Sequence, residues 1–320
     1  MSYNLKSIKQ EFRDKGIFYT TTELAEYLKK LVGFEPLEVY DPTCGDGSLL
    51  SVFGDDVKKY GQEINDHQLN AAKDRLINFT GICGDTLKAP AFFGKKFDCI
   101  VANPPFSIDW EPPQLGGLFN DERFSNIPAM PPKSKADYAF ILHILNYLSD
   151  EGVAVVLSFP GVLYRGGAEG KLRRWIIEKN LIDKVVRIEG KKFVDTTIET
   201  AVLIFRKNKE VTDIEFVDAE KGISKVVGID EIKNNDYHLS VSRYIFEEKK
   251  HPEIDALATN NLARKQMIER LKSDIAFDAM VCQIEGWEHV GYLQQILDAV
   301  NYCIDIHKIN IVDNNSCKVL

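Results

Sequence analysis

Short apolar runs alternate with amphipathic stretches over most of the chain, and this alternation limits the fold more than any other feature. The predicted strands are residues 37–41, 57–63, the apolar segment before Gly84, 97–102, 152–159, 183–188 and 198–206. The predicted helices are residues 22–32, 66–78, 136–148 and 171–179. Such alternation is typical of βαβ units and a mostly parallel sheet. We therefore expect an α/β fold whose sheet ends with strand 198–206.

The composition is that of an ordinary globular protein. Of the 320 residues, 44% are hydrophobic and 28% are charged, as in soluble domains. No apolar run approaches the roughly 20 residues needed to span a bilayer, and the N-terminus is polar. The six cysteines form neither a CxxC pair nor a metal-ligand spacing. We expect reduced thiols in a cytoplasmic protein, with no metal and no membrane partner.

Two segments depart from the alternating pattern. Residues 107–135 are rich in Pro and Gly, and a loop this long inside a compact domain is typical of a lid or a tolerated insertion. After residue 245 the chain becomes charged, and helices are predicted at 261–273 and 287–306. We expect a main domain at 1–245 and a helical C-terminal appendage at 246–320. The appendage either folds back on the core or presents a surface to another subunit.

The motif DPTCGDGSLL, residues 41–50, follows the first predicted strand. Gly45 and Gly47 allow a sharp turn and a close approach of the backbone to a ligand. Ligands of open α/β sheets bind outside the carboxyl ends of the strands. The motif is neither the GxGxxG fingerprint nor a P-loop, so alone it predicts a turn that is either structural or ligand-binding.

Two acids follow at informative positions. Glu63, in the sequence GQEIN, closes the second strand roughly 20 residues past the glycines, where an acid can accept hydrogen bonds from ribose hydroxyls. Asp85 follows Gly84 after the third apolar segment and can accept a hydrogen bond from an adenine amine. Together the three turns predict a pocket for a cofactor that carries a nucleoside.

The motif Asn103-Pro104-Pro105-Phe106 directly follows strand 97–102. An aromatic amine is a poor nucleophile because its lone pair is delocalised into the ring. The Asn103 side-chain oxygen and the Pro104 carbonyl can accept both amine hydrogens, and the prolines hold the backbone so that these acceptors converge. Phe106 offers a face on which a flipped base can stack. The motif predicts methyl transfer to such an amine.

The motifs in this order resemble the amino-methyltransferase of the type I restriction-modification system, its modification subunit, an N6-adenine DNA methyltransferase. The sequences that carry the resemblance are FYT (18–20), DPTCGDGSLL, GQEIN, GD, NPPF, KADYAFILHIL, GVLYRGG and FVDTTIETAVLIF. The resemblance covers roughly residues 11–245. It implies a seven-stranded, mostly parallel, Rossmann-like sheet with helices on both faces, and makes 1–245 the S-adenosylmethionine-dependent catalytic domain.

The resemblance also implies roles for the matching positions. Residues of the cofactor site are Phe18, Tyr19, Thr20, Asp41, Thr43, Gly45, Gly47, Glu63, Ile64 and Asp85, with S-adenosylmethionine as cofactor. The catalytic residues are Asn103, Pro104, Pro105 and Phe106, and Phe193 is the second aromatic face on the target base. The implied partners are DNA with a flipped adenine, a specificity subunit that reads the DNA sequence, and a restriction subunit. The implied source is bacterial or phage-borne.

Several alternatives stay open. A cytosine-ring methyltransferase needs a nucleophilic Pro-Cys dipeptide, whereas Thr43 separates Pro42 from Cys44, so Cys44 is expected to be a packing residue. The formal net charge of −8 and the few residues before FYT indicate that DNA binding needs a local patch or a partner. The remaining readings are an amide or amine of protein or RNA as substrate, a non-catalytic scaffold, and a truncated remnant of a modification subunit.

Overall fold

A computed structural model describes residues 20–112, 121–188, 199–246, 256–286, 295–299 and 301–302. Within these residues the strands are β1 (Glu38–Asp41), β2 (Lys58–Glu63), β3 (Phe79–Cys83), β4 (Phe97–Ala102), β5 (Leu148–Ser158), β6 (Ile182–Ile188), β7 (Thr200–Arg206), β8 (Ile214–Asp218) and β9 (Ile223–Val227). The α-helices are α1 (Thr22–Val32), α2 (Asp66–Arg75), α3 (Asp137–Tyr147), α4 (Gly167–Glu178), α5 (Ile229–Asn234) and α6 (Ala256–Glu285). The predicted alternation of strands and helices is confirmed.

The described strands form one sheet in the order β3-β2-β1-β4-β5-β7-β6-β8-β9. Strands β3, β2, β1, β4 and β5 are parallel, and β7 runs antiparallel to β5 and β6. The chain leaves β1 toward β2 on one side and returns with β4 on the other. A crevice therefore opens between the carboxyl ends of β1 and β4, where ligands of open α/β sheets bind.

Side chains alternate between two cores along the central strands. Tyr40, Ile100 and Ala154 face the core that contains α3, while Val39 and Val101 face the core that contains α1. Successive side chains of a strand point to opposite faces, so both faces of the sheet are covered by helices. This confirms the predicted α/β architecture.

The prediction that strand 198–206 completes a seven-stranded sheet is wrong. β8 pairs in parallel with β6, and β9 pairs with β8 as an antiparallel hairpin, so that the described sheet has nine strands. β8 alternates buried and half-buried residues, whereas β9 is mostly exposed. β9 is the edge strand and buries little apolar surface, and its hydrophobic pattern is correspondingly weak.

Between residues 20 and 246, three element boundaries differ from the prediction by at least three residues. β5 begins at Leu148 rather than at residue 152, and α4 begins at Gly167 rather than at Lys171. Two glycines in the first turn of α4 hide its start, because glycine has a low helix propensity. α2 ends at Arg75, because Leu76 takes an extended conformation and Asn78 a positive φ of 54°.

Internal contacts divide the chain into two units, Met1–Glu247 and Glu248–Leu320. In the second unit, α6 exposes large apolar side chains that include Met267, Phe277 and Ile284. Much of the second predicted helix, 287–306, lies outside the described residues. In the part of the chain that the structure describes, no helix has both the length and the apolar character to cross a bilayer.

Candidate functional site

A cavity of about 810 Å³ lies at the carboxyl edge of the parallel strands. The predicted site residues that line it are Thr20, Asp41, Thr43, Gly45, Glu63, Ile64, Asp85, Asn103 and Pro105. Gly47, Pro104 and Phe106 do not line it, and Phe18, Tyr19 and Phe193 lie outside the described residues. The structure thus brings the ends of β1, β2, β3 and β4 to one concave surface.

The two glycines after β1 have different structural roles. Both have positive φ, 52° at Gly45 and 77° at Gly47. A Cβ on Gly47 would lie 2.7 Å from Leu76 Cδ1, so this glycine permits packing of the loop against α2. A Cβ on Gly45 would meet nothing within 4 Å, and Gly45 itself lines the cavity. Gly45 is therefore the position where backbone can approach a ligand closely.

Asp41 ends β1 and is buried, with an exposed fraction of 2%. Its Oδ1 accepts hydrogen bonds from the Thr43 backbone N–H at 2.9 Å and from Thr43 Oγ1 at 3.4 Å. Burial, with a further contribution from the charge of Glu63, raises the pKa of Asp41 to about 7. A carboxyl group poised near neutral pH therefore lies in the wall of the cavity.

Glu63 ends β2 and joins two loops. Its Oε2 accepts the Gly45 backbone N–H at 3.0 Å, and its Oε1 accepts the Asn65 backbone N–H at 2.9 Å. A carboxylate has about four lone-pair sites, so both oxygens keep capacity for the hydroxyls of a ribose. The neighbouring Ile64 lines the same cavity with 69% of its surface exposed, which presents an apolar face beside the acid.

Asp85 organises the turn after β3. Its Oδ1 accepts the backbone N–H groups of Leu87 at 2.9 Å and Lys88 at 3.2 Å. Both residues line the cavity together with Asp85. The carboxylate thus shapes this wall of the cavity and, with two hydrogen bonds made, keeps acceptor capacity for a ligand.

Asn103 follows the last residue of β4 and is half-buried in the cavity wall. Its Nδ2 donates a hydrogen bond to Thr20 Oγ1 at 3.1 Å. This hydrogen bond holds the side chain of Asn103 against the segment that precedes α1. An oriented amide therefore lies beside the three loops that end β1, β2 and β3.

Phe106 is half-buried and packs against the core that contains α1. Its ring lies 6.5 Å from the Phe159 ring, centroid to centroid, with a tilt of 48°. Phe159 directly follows β5, the strand next to β4, and sequence reasoning missed it. Two aromatic rings thus lie together at the strand ends. They are close in sequence to cavity residues, but neither ring is among the residues that line the cavity.

Cys44 is buried in the loop after β1. A Cβ on Gly61 would lie 2.6 Å from its Sγ, so this pair of residues fits tightly. Burial, and to a lesser extent the charges of Asp41 and Glu63, raises the pKa of the Cys44 thiol far above its usual value. A protonated, packed thiol is no nucleophile, which confirms the expected packing role.

The sequence reasoning missed the apolar wall formed by Ile108, Trp110 and Phe140. Trp110 lies in the segment predicted as a lid, and its Nε1 donates to the Pro132 carbonyl at 2.9 Å. Its ring packs 5.3 Å from Phe124, centroid to centroid. The described flanks of segment 107–135 are therefore anchored, and residues 113–120 lie outside the described part. An aromatic residue so close to NPPF was the available signal.

The sheet order and a cavity built from these strand ends define the α/β fold of S-adenosylmethionine-dependent methyltransferases. Residues 3–225 match the family described as N-6 DNA Methylase. The match covers more than half of the chain, and the chain belongs to this family.

Three related proteins are type I methylase or methyltransferase subunits. The chain is 31% identical over 303 residues to the type I restriction enzyme MpnII methylase subunit of Mycoplasma pneumoniae, covering 77% of this chain and 56% of that protein. It is 28% identical over 336 residues to the MjaVII methylase subunit of Methanocaldococcus jannaschii, covering 87% and 57%. A type I restriction-modification methyltransferase subunit from Streptococcus thermophilus superposes with a TM-score of 0.64 at 30% identity, covering 71% and 59%. The chain thus spans little more than half the length of these relatives.

Proposed function

We propose that this protein transfers a methyl group from S-adenosylmethionine to the exocyclic N6 amine of adenine in DNA, as part of the modification subunit of a type I restriction system. One observation carries the proposal. The amide of Asn103 lines the same cavity as Asp41, Glu63 and Asp85, the three acids that end or follow neighbouring strands. Family membership and the printed names of the relatives support the same reaction.

The residues present fit S-adenosylmethionine. Gly45 leaves space for a ligand beside its backbone, Glu63 has acceptor capacity for the ribose hydroxyls, and Asp85 has acceptor capacity for the adenine amine. The bound cofactor supplies a methyl group already activated by the positive sulfur. In-line positioning of the amine is then the main task of the protein.

Asn103 and Pro104 act on the target amine. The Asn103 side-chain oxygen and the Pro104 carbonyl accept the two amine hydrogens, which draws the nitrogen toward tetrahedral geometry and localises its lone pair. The hydrogen bond to Thr20 Oγ1 at 3.1 Å supports this role, because it restrains the amide of Asn103. Phe106 offers a stacking face to a base that has left the duplex, and Phe193 is proposed as the second face.

Partner subunits are part of the proposal. A formal net charge of −8 is unusual for a protein that grips DNA alone, since phosphate neutralisation supplies much of the affinity. The named relatives are subunits of type I restriction enzymes. We therefore assign DNA sequence reading to a specificity subunit and cleavage to a restriction subunit.

Methyl transfer can be tested directly with labelled S-adenosylmethionine and unmethylated DNA, with and without a co-expressed specificity subunit. Label recovered as N6-methyladenine supports the proposal. Cofactor binding without transfer in both settings supports the scaffold instead, and label in RNA or protein amides supports the other substrates.

The Asn103→Ala variant sharpens this experiment. It should abolish transfer, while cofactor affinity stays within about threefold, since Asn103 acts on the amine. Asn70→Ala is the matched control, because Asn70 is an exposed residue of α2 that bonds Asp66. Equal loss of transfer and cofactor affinity in Asn103→Ala would contradict the assigned role.

A further inference from the structure

Arg123 is a buried cation outside the cavity. Its side chain is only 4% exposed, and its Nη2 lies 2.7 Å from Asp121 Oδ2. Its Nε donates to Asp121 Oδ1 at 2.9 Å. Arginine is almost never fully buried unless it is paired, and burying such a pair is expensive. The guanidinium also contacts two backbone carbonyls and a histidine, and these contacts indicate the role of the buried charge.

Two guanidinium N–H groups bind the wall of the proposed cofactor site. Nη1 donates to the Thr86 carbonyl at 2.8 Å, and Nη2 donates to the Leu87 carbonyl at 2.7 Å. Thr86 and Leu87 directly follow Asp85, and all three line the cavity. Arg123 therefore holds the backbone of the Asp85 turn from the side away from the cavity.

A buried histidine supports Arg123. Nη1 of Arg123 lies 3.2 Å from His143 Nδ1, and His143 Nε2 lies 3.0 Å from Tyr40 Oη. Arginine only donates, so Nδ1 accepts and Nε2 carries the proton that it donates to Tyr40. Burial and the charge of Arg123 hold the pKa of His143 well below its usual value, which keeps the ring neutral. The network thus extends to β1, one residue before Asp41.

The same turn is held from its other sides. Gln62, at the end of β2, donates to the Ala89 carbonyl at 2.8 Å and accepts the Ala91 backbone N–H at 2.8 Å. Thr86 Oγ1 donates to the Pro42 carbonyl at 2.5 Å. Arg123 adds the contact from the segment that follows NPPF, so this segment and the ends of β1 and β2 all bind the Asp85 turn.

We propose that Arg123 is a positioning residue for the cofactor. Through the carbonyls of Thr86 and Leu87 it holds Asp85 where the adenine of the cofactor binds, while Asp121 and His143 hold Arg123 itself. The inference rests on the proposed function, because it takes the Asp85 wall to be the adenine site. Arg123 does not line the cavity and takes no part in the chemistry.

Arg123→Lys tests the assignment with the fold kept. Lysine retains the charge beside Asp121 but cannot reach both carbonyls and His143, because it lacks the planar fork of donors. We expect the KM for S-adenosylmethionine and the Kd for S-adenosylhomocysteine, measured by calorimetry, to rise about tenfold, while kcat falls less than about threefold. Arg174→Lys is the matched control, because Arg174 is an exposed residue of α4 that pairs with Glu178 at 2.8 Å.

Four outcomes can be distinguished. A lower apparent kcat with unchanged KM means that Arg123 only keeps a larger fraction of the protein correctly folded, which overturns the assignment. If the wild type binds S-adenosylhomocysteine and Arg123→Lys binds it with the same Kd, the assignment is overturned as well. A wild-type protein that binds neither ligand overturns the proposed function and this inference with it. Faster amide hydrogen exchange confined to residues 84–91 in Arg123→Lys supports the assignment independently of activity.

Discussion

Asn103 Nδ2 donates a hydrogen bond to Thr20 Oγ1 at 3.1 Å, so the motif after β4 is joined to the segment before α1. The two residues are 83 positions apart in the chain. The bond orients the amide that is proposed to act on the target amine. Thr20 also lines the cavity, so a residue of the proposed cofactor site contacts the residue proposed to act on the amine.

Replacing Thr20 by valine should slow methyl transfer. Valine keeps the shape but removes the acceptor, so the Asn103 amide is no longer held. We expect kcat to fall about threefold to tenfold, the effect of losing one partly buried hydrogen bond. Single-turnover methylation of DNA measures this rate. Thr20→Ser retains the hydroxyl and should stay near wild type, and equal rates in the two variants would contradict the orienting role.

Cofactor affinity should increase with pH through neutrality. Burial raises the pKa of Asp41 to about 7, and the positive charges of S-adenosylmethionine favour the ionised carboxylate. Calorimetry from about pH 6 to about pH 8 should show tighter binding at the higher pH. Asp41→Asn should flatten this dependence, whereas a dependence that persists unchanged in Asp41→Asn would assign it to another group.

Stability without cofactor should change in the opposite direction. The raised pKa means that the folded state binds a proton on Asp41 more tightly than the unfolded state, in which the pKa is near 3.8. The contribution is complete below this value and is lost as pH rises through about 7. Thermal unfolding of the wild type compared with Asp41→Asn across this range isolates the contribution. If the wild type became more stable relative to Asp41→Asn as the pH rises, the assignment would be contradicted.

Alanine substitutions should separate the two glycines of the β1 loop. Each substitution places an alanine in the left-handed backbone conformation, which costs roughly 1–2 kcal/mol. Gly47→Ala also places its Cβ 2.7 Å from Leu76 Cδ1 and should be the less stable protein. Gly45→Ala should lose mainly cofactor affinity, because Gly45 lines the cavity.

Gly94→Ala provides the matched control for both variants. Gly94 has the same φ of 77° as Gly47, a Cβ there meets nothing within 4 Å, and the residue does not line the cavity. Urea unfolding and cofactor calorimetry on the three variants give the comparison. A Gly45→Ala protein that binds cofactor as tightly as Gly94→Ala would remove Gly45 from the cofactor site.

Phe106→Ala should weaken productive DNA binding and leave the cofactor Kd unchanged. Stacking of a base on an aromatic ring contributes about 1–3 kcal/mol, and Phe106 does not line the described cavity. Fluorescence of 2-aminopurine at the target position reports the flipped base. Phe106→Tyr keeps the stacking face and should retain the signal. An unchanged signal in Phe106→Ala would show that another ring, such as Phe159, stacks on the base.

The local motifs predicted most of the cavity for a definable reason. Parallel strands end at one edge of a sheet, so residues that follow such strands converge even when they are far apart in sequence. Asp41, Glu63, Asp85 and Asn103 each end or follow a predicted strand, and all four line the cavity. By contrast, the hairpin of β8 and β9 was missed, because each strand has only five residues and the edge strand β9 is mostly exposed.

The sequence by itself determined the α/β alternation, the family and the residues at the strand ends, because hydrophobic period and turn chemistry are local properties. Only the tertiary structure decided that Thr20 orients Asn103, that Gly47 serves packing while Gly45 faces the cavity, and that Arg123 holds the Asp85 turn. Each of these depends on a contact between distant segments. Such contacts are set by packing and by the pairing of buried polar groups, which no local period encodes.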